Sequence, residues 1–486
     1  MQRFSHVIGG REALPIAGHW FSSEDPARGA PWAEVARGCA KDAAAAVADA
    51  AAAFPAWAAD GPARARALHA LADLLDAEWP SLVEAEVRDN GKRIVEVRGQ
   101  FAGLGAWYRH FADAAASPRV TGLSPVMAGV EVKSDWLPYG VIAAITPWNS
   151  PLMILAWKLA PALAAGNTVV VKPSEHASAS TVLFALLAAR VLPAGVVNVL
   201  CGFGSEAGAA LVADPRVRKV TFTGSDSGGR LVAEAAGRNL APVVLELGGK
   251  SAQVVFADCD RKAALNGIAA GIFASNGQSC VAGSRLIVEE SIAAEVLDEL
   301  VTLAARLRPG DPMDPATQVA PLANRAHFDK VMAMINTARR EGARCIAGGH
   351  RTKVEGLPEG LFVAPTIFTD VSPDMELWRE EVFGPVLAVT TFRDEEEAVA
   401  LANDTPYGLA SAIWTGDAAR ADRVAPRIMA GTVYVNHYRS VDPGVPLGGI
   451  GRSGFGRELG PEALHDFLQQ RAIWRGTTPF PDPFPA

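Results

Sequence analysis

Hydrophobic positions along the chain follow two periods, and the period changes near its first third. From Asp42, placed as an N-cap, Val47, Ala50, Ala51, Phe54 and Trp57 recur at helical spacing, so the alanine-rich tract reads as helix. A second helical region runs from Pro62 through Leu68, Leu71, Leu74 and Leu75 to Val87, and a third carries Trp107, Tyr108 and Phe111. Before them, residues 1 to 35 mix aromatics with Gly, Pro and charges and read as an irregular arm with short strands. Val130 to Trp136 then alternates with a period of two, which predicts a strand with one solvated face.

From Tyr139 the pattern becomes short β-branched runs separated by helical stretches. Val141 to Ile145, Val169 to Val171, Val196 to Leu200, Val220 to Thr223 and Val243 to Leu245 read as strands buried on both faces, the mark of a parallel sheet covered by helices. The theme returns with Gln253 to Phe256, Arg285 to Val288, Val386 to Phe392, Ala412 to Trp414 and Thr432 to Asn436, read as a second α/β domain. The fold class is therefore α/β, and ligands of such sheets sit beyond the carboxyl ends of the strands. The tail from Pro479 to Pro485 holds too many prolines for helix or central strand.

At 486 residues with 49% apolar positions, the chain is long enough for two or three domains. Its net charge of −8, without a basic block, argues against nucleic acid or an anionic membrane as main partner. Five scattered cysteines show neither a Cys-x-x-Cys nor a Cys/His cluster, so disulfides and metal are not expected and a reducing cytoplasm is. Met1 to His6 begins no apolar run, and the richest one, Leu152 to Ala165, is interrupted by Lys158 and Pro161, so no targeting or spanning segment is expected.

Two short stretches carry candidate chemistry. Cys280 follows Asn276-Gly277-Gln278-Ser279, read as flexible backbone that ends an apolar helix and leaves amides free to hold an oxyanion. Glu246 stands in Leu-Glu-Leu-Gly-Gly-Lys, where Gly248 and Gly249 let another body approach the main chain. A thiol of ordinary pKa about 8.5 needs a base or a cation to act as nucleophile, and Glu246 could be that base. By itself, a lone cysteine in apolar sequence is as readily an inert core residue. Asn149 reads as a turn residue, Glu380-Glu381 as a solvated acidic pair and Gly202 to Gly208 as a tight turn. Gly224 to Gly229 follows a strand and opens a helix, the arrangement that binds phosphate.

The Leu-Glu-Leu-Gly-Gly-Lys stretch, followed by the cysteine of a Gly-Gln-x-Cys, resembles the paired signature of the aldehyde dehydrogenase superfamily, non-acylating branch. Pro446-Leu447-Gly448-Gly449 through Ser453 to Glu458 is similar to its C-terminal glycine-rich loop, with Leu447 where Phe is common and Gly451 where Lys is common. The resemblance implies Cys280 as nucleophile, Glu246 as base for thioester hydrolysis, and Asn149 with the Cys280 N–H as oxyanion hole. It further implies a cofactor, NAD with NADP as the alternative, whose adenosine ribose meets Lys172 and Glu175. Gly224, Ser225 and Gly229 would hold the pyrophosphate; Trp148, Leu247, Gly248, Glu381 and Phe383 would surround the nicotinamide end. Asp226 departs from the usual neutral residue and would repel phosphate unless it turns away.

The same resemblance divides the chain into a Rossmann-like cofactor domain (1–120 and 139–248), a catalytic domain (249–445) and a small β oligomerisation element (121–138 and 446–486). Strands near Val130 to Trp136 and Phe467 to Trp474 resemble subunit-bridging strands, so a homodimer or homotetramer is expected. Around the aldehyde it places Arg109, Ser150, Trp157, His437, Arg439 and Val441. Their polarity suggests an aldehyde with a carboxylate or other polar far end, although Arg109 and Arg439 could equally bind surface acids or backbone carbonyls. Three alternatives stay open. They are an acylating enzyme that uses coenzyme A, against which Glu246 argues, a cofactor-free Cys/Glu thiol hydrolase, and a catalytically silent homologue.

Overall fold

The computed structural model describes residues 1–116, 121–124 and 127–484. Residue 120, where one expected boundary falls, and Pro485 of the proline-rich tail lie outside the described residues.

Val141–Ile145 is buried at every position and lies at the centre of an eight-stranded sheet. Thr168–Lys172 and then Val197–Val199 pair parallel on one side of it. On the other side lie Val217–Thr223 and then Val243–Glu246, also parallel. The chain thus moves one way through the sheet and then reverses, which opens a crevice beyond the carboxyl ends of Val141–Ile145 and Val217–Thr223. His6–Ile8 and Arg11–Ala13 extend one edge antiparallel, so part of the N-terminal arm belongs to this sheet.

A second sheet of seven strands runs Arg344–Ala347, Thr366–Thr369, Val386–Phe392, Arg285–Glu289, Ala252–Val255, Ala410–Trp414 and Thr432–Val435. Only the first of these pairs antiparallel. Apolar residues pack on both faces of each sheet, which is why the strands read as continuous hydrophobic runs. Thr366–Thr369 and the half-exposed Arg344–Ala347 escaped the sequence because four residues give too short a pattern.

Three expectations need correction. The second helical region is two helices, Gly61–Glu78 and Pro80–Asn90; Pro80 has no N–H to continue the ladder and opens a new first turn instead. Asp42 is not the N-cap: the helix starts at Ala40, and the Asp42 carboxylate, one turn in, accepts from Cys39 N at 2.8 Å and Ile16 N at 2.9 Å. The segment after 446 does not belong wholly to the small β element. Gly454–Phe455 pairs antiparallel with Val243–Glu246, a contact open to Gly454 because any Cβ there would lie 1.9 Å from the Leu245 carbonyl oxygen. Only Leu468–Gly476 joins Val130–Pro138 and Thr121–Leu123 in a separate three-stranded antiparallel sheet.

Candidate active site

The crevice holds a cavity of about 200 Å³. The first sheet contributes Trp148, Asn149, Thr223, Ser225, Leu247 and Gly248 to its wall. The facing wall carries Cys280, His327, Lys330, Glu381 and Phe383. Sequence reasoning did not find His327 and Lys330. They lie on the first turns of helix Arg325–Arg340, capped by Asn324, and no motif announces them.

The backbone ahead of Cys280 is pinned, not flexible as its composition suggested. Helix Arg261–Ile272 gives way to a left-handed run at Ser275, Asn276 and Gly277, with φ of 50°, 52° and 66°. Glu96 Oε1 accepts from Ser275 N at 2.8 Å, Asn276 Nδ2 donates to Ala320 O, and Gln278 Oε1 accepts from Ala323 N at 2.9 Å. Side-chain hydrogen bonds to two other segments, Glu96 and the stretch 320–323, therefore hold a conformation that L-residues disfavour. A Cβ at Gly277 would stand 2.0 Å from the Gly384 oxygen.

The two halves of the motif pair meet in space. Gly249 packs so closely on the Cys280 carbonyl that a Cβ would come within 2.5 Å of it. Asn149 Nδ2 donates to Gln278 O at 3.0 Å, which ties the turn after Val141–Ile145 to the cysteine loop and leaves its second N–H free. Glu246 is buried, and its Oε1 has no hydrogen-bond partner. Near it lies a second buried carboxylate, Glu458, which accepts from Lys158 Nζ and, at 3.3 Å, from Thr221 Oγ1. Lys158 sits in a helix, Pro151–Ala164, with almost no exposed residue. A lysine inside so apolar a run must find a partner, and that was the sequence signal for it.

Electrostatics follow from this packing. Burial first and the Glu458 charge second raise the Glu246 carboxyl well above the usual range, against the opposing pull of Lys158 and Arg457. Desolvation, then the nearby Glu246 and Glu381 charges, push the Cys280 thiol up to about 12. Glu381, against Gly248 and accepting from Gly249 N at 2.9 Å, is raised by burial to about 7. It is therefore not the freely solvated acid that sequence alone allowed. Burial lowers His327 to about 4, so its ring is neutral; Nε2 contacts Phe383 O at 2.8 Å, and the ring packs on Trp148 with centroids 5.1 Å apart.

At the other end of the crevice, Lys172 Nζ donates to Glu175 Oε2 at 3.0 Å. Burial acts to raise Glu175, but the Lys172 charge together with hydrogen bonds from Lys172 and the backbone outweighs it and keeps the carboxylate ionised. Gly224 N donates to Glu246 O, and Ser225 caps its helix by accepting from Gly228 N at 3.1 Å. A Cβ on Gly229 would meet Leu247 at 2.6 Å. Thr223 Oγ1 is buried on this wall without a partner. Narrow glycine turns, an unpaired hydroxyl and an ionised carboxylate two strands away fit a dinucleotide. Asp226 does turn away, toward Arg452 at 2.7 Å.

The six aldehyde-side candidates separate. Trp157 and Val441 pack with Ile154, Leu447 and Leu459 in one apolar cluster. Ser150 Oγ accepts from the buried Lys92 Nζ at 2.5 Å, a contact that no motif indicated. Arg109 is a partly exposed residue paired with Asp73 and Asp76 at 2.7 and 2.6 Å. Arg439 Nη1 donates to Ala270 O at 2.7 Å, and His437 contacts Ser440 Oγ. Both arginines thus take the backbone-or-acid option, because unpaired helix carbonyls and surface carboxylates lie within reach.

A model of the aldehyde dehydrogenase family matches residues 16–473. The chain is 44% identical over 422 residues to betaine aldehyde dehydrogenase, chloroplastic, of Beta vulgaris, covering 86% of this chain and 84% of that protein. It is 42% identical over 479 residues to the NADP/NAD-dependent aldehyde dehydrogenase PuuC of Escherichia coli strain K12, covering 96% and 94%. Among solved structures, PnpE in complex with nicotinamide adenine dinucleotide superposes with a TM-score of 0.96 at 42% identity, over 99% of both chains. Betaine aldehyde dehydrogenase from Staphylococcus aureus in complex with NAD+ gives 0.97 at 32% identity, over 99% and 97%. Fold and site define an NAD(P)-dependent oxidoreductase that works through a thiol. The chain belongs to the aldehyde dehydrogenase family and oxidises an aldehyde to a carboxylic acid.

Proposed function

We propose the following division of labour among the residues of the crevice. The observation that carries it is that Cys280 and Asn149 line the same cavity as Ser225 and Gly248, with Glu246 buried at the end of the adjoining strand. Cys280 Sγ adds to the aldehyde carbon after giving up its proton, and Glu246, raised by burial, is the nearby group able to take it. The free N–H of Asn149 and the Cys280 N–H hold the oxygen as negative charge develops. Bound NAD supplies the hydride acceptor. Glu246 gives up the thiol proton before deacylation, with the neighbouring Glu458–Lys158 pair as the route for it, and as a carboxylate it then deprotonates the water that cleaves the thioester.

Lys172 and Glu175 would take the adenosine ribose, with the Glu175 charge favouring NAD over NADP. Gly224, Ser225 and Gly229 would take the pyrophosphate, and Trp148, Leu247, Gly248, Glu381 and Phe383 the nicotinamide end. The units are a cofactor domain around the eight-stranded sheet, a catalytic domain around the seven-stranded one, and a bridging element. The exposed Ile473 and Trp474, 44% and 60% accessible on the outer strand of the small sheet, support a homo-oligomer joined through that edge. Five free cysteines support a reducing compartment such as the cytoplasm. No helix among the described residues is long and apolar enough to cross a membrane.

For the substrate we favour an aldehyde with a polar far end. Ser150, next to Asn149, is joined to the buried Lys92 and, at 3.4 Å, to Gln100, so polar groups gather beside the candidate oxyanion residue, which supports this reading. An aldehyde panel followed by NADH absorbance, with Cys280→Ala as control, tests the assignment. Turnover retained in Cys280→Ala would sink the nucleophile. A hydrolase would release product without NADH. Equal kcat/KM for polar and alkyl aldehydes of one length would sink the polar substrate.

A further inference from the structure

Asp226 is the one residue of the phosphate-type turn whose charge works against an anion. It occupies the first position of helix Asp226–Arg238, directly after Ser225 of the cavity wall. A carboxylate here opposes any phosphate that the helix terminus attracts. The structure supplies its counter-charge from far along the chain. Arg452 Nη2 and Nε donate to Asp226 Oδ2 at 2.7 and 3.1 Å. The same guanidinium donates to Glu380 Oε1 at 3.2 Å and Oε2 at 3.4 Å. It lies over the Tyr407 ring, 4.8 Å from the centroid, while Arg452 N donates to Pro406 O at 2.9 Å. Three segments thus meet at one cation.

The bridge lies on the rim of the cavity. Asp226 and Glu380 are the chain neighbours of Ser225 and Glu381, both of which line it, and the Asp226 charge reaches far enough to bear on Glu381. Burial acts to raise the Asp226 carboxyl, but the hydrogen bond and charge of Arg452 outweigh it, so the group is ionised at neutral pH.

We propose that the Arg452–Asp226 ion pair, with Glu380 sharing the guanidinium, sits on the rim of the cofactor cavity and that its charge sets the affinity for the pyrophosphate of the dinucleotide. The proposal rests on reading Gly224 to Gly229 as the phosphate turn. Asp226, together with Glu380, keeps occupied a guanidinium that would otherwise turn toward the nearest anion, and Arg452 offsets a carboxylate that would otherwise repel it. Each partner restrains the other, so the bound cofactor stays exchangeable.

Opposing signs make the test decisive. Calorimetric titration with NAD, ADP-ribose and adenosine at low ionic strength compares wild type, D226N, R452Q and the double variant. D226N should bind NAD and ADP-ribose about three- to tenfold more tightly, and R452Q about three- to tenfold more weakly, from one charge at partly screened range. The double variant should lie between them. Adenosine, without phosphate, should not distinguish the four, and the differences should shrink in about 0.5 M salt. Misfolding cannot raise affinity, so D226N carries the test even if R452Q is destabilised. Wild type that fails to bind ADP-ribose would remove the phosphate-turn reading. Wild type that binds it while D226N binds no more tightly, or a gain for adenosine equal to that for ADP-ribose, would overturn the charge pair.

Discussion

Glu246 and Glu458 are two buried carboxylates in one field, each with an oxygen that lacks a hydrogen-bond partner, and the Lys158 ammonium is bonded to Glu458. The arrangement holds Glu246 in its protonated form to higher pH than an ordinary glutamate. Since Glu246 must be ionised to accept a proton, deacylation should fall as pH drops through that raised value. Glu458→Gln removes the like charge and leaves Lys158 to act on Glu246, so the acid limb of the kcat profile should move to lower pH. Glu246→Gln should give a burst of NADH followed by slow turnover. An unmoved acid limb in Glu458→Gln would break the coupling.

Cys280 carries the complementary expectation. With its thiol pushed up to about 12, little thiolate exists at neutral pH in the cofactor-free protein. Iodoacetamide should alkylate Cys280 at least about a hundredfold more slowly than free cysteine, given the ordinary pKa of about 8.5. Peptide mass spectrometry separates it from the other four thiols. Glu246→Gln should speed the reaction at alkaline pH by removing a neighbouring negative charge. A Cys280 rate that matches free cysteine would show that the cleft does not desolvate the thiol.

Glu175, ionised beside Lys172, predicts cofactor choice. Replacing it by Gln removes repulsion toward a 2′-phosphate and weakens the grip on a 2′-hydroxyl. The ratio of kcat/KM for NAD to that for NADP should therefore fall by about tenfold or more, equivalent to roughly 1.4 kcal/mol. A ratio unchanged in Glu175→Gln would place cofactor selection elsewhere.

Gly277 sits at φ 66° with the Gly384 oxygen where a Cβ would go. Gly277→Ala should destabilise the fold by about 1 to 3 kcal/mol and displace Cys280 from Asn149, which lowers kcat more than it raises KM for NAD. Thermal unfolding with paired kinetics checks both parts. Wild-type kcat in Gly277→Ala would mean that the loop tolerates another path.

Cys280, Glu246 and Asn149 were picked out through the family resemblance of their short motifs, since the residues alone left Cys280 as readily an inert core thiol and Asn149 a turn residue. The folded chain brings Cys280 and Asn149 to one cavity. The parallel strands were legible because burial on both faces writes an unbroken apolar run. His327 and Lys330 carried no such mark. They reach the cavity because helix Arg325–Arg340 packs beside segment 380–383, a distance in space that local pattern does not encode. Arg109 and Arg439 show the converse. Their types suggested an anion site, yet Asp73, Asp76 and the Ala270 carbonyl claimed them first.

By itself the sequence determined the α/β class and most strands of both sheets, because secondary-structure period and local turn chemistry are written in neighbouring positions, and its short motifs named the crevice residues through the family resemblance. It could not determine which charges would pair. Lys158 with Glu458, Lys92 with Ser150 and Arg452 with Asp226 join residues from distant parts of the chain. A buried charge takes the partner that the folded packing brings within hydrogen-bond reach, so the protonation of Glu246, the fate of Asp226 and the polarity of the wall beside Asn149 were settled only when the elements packed together.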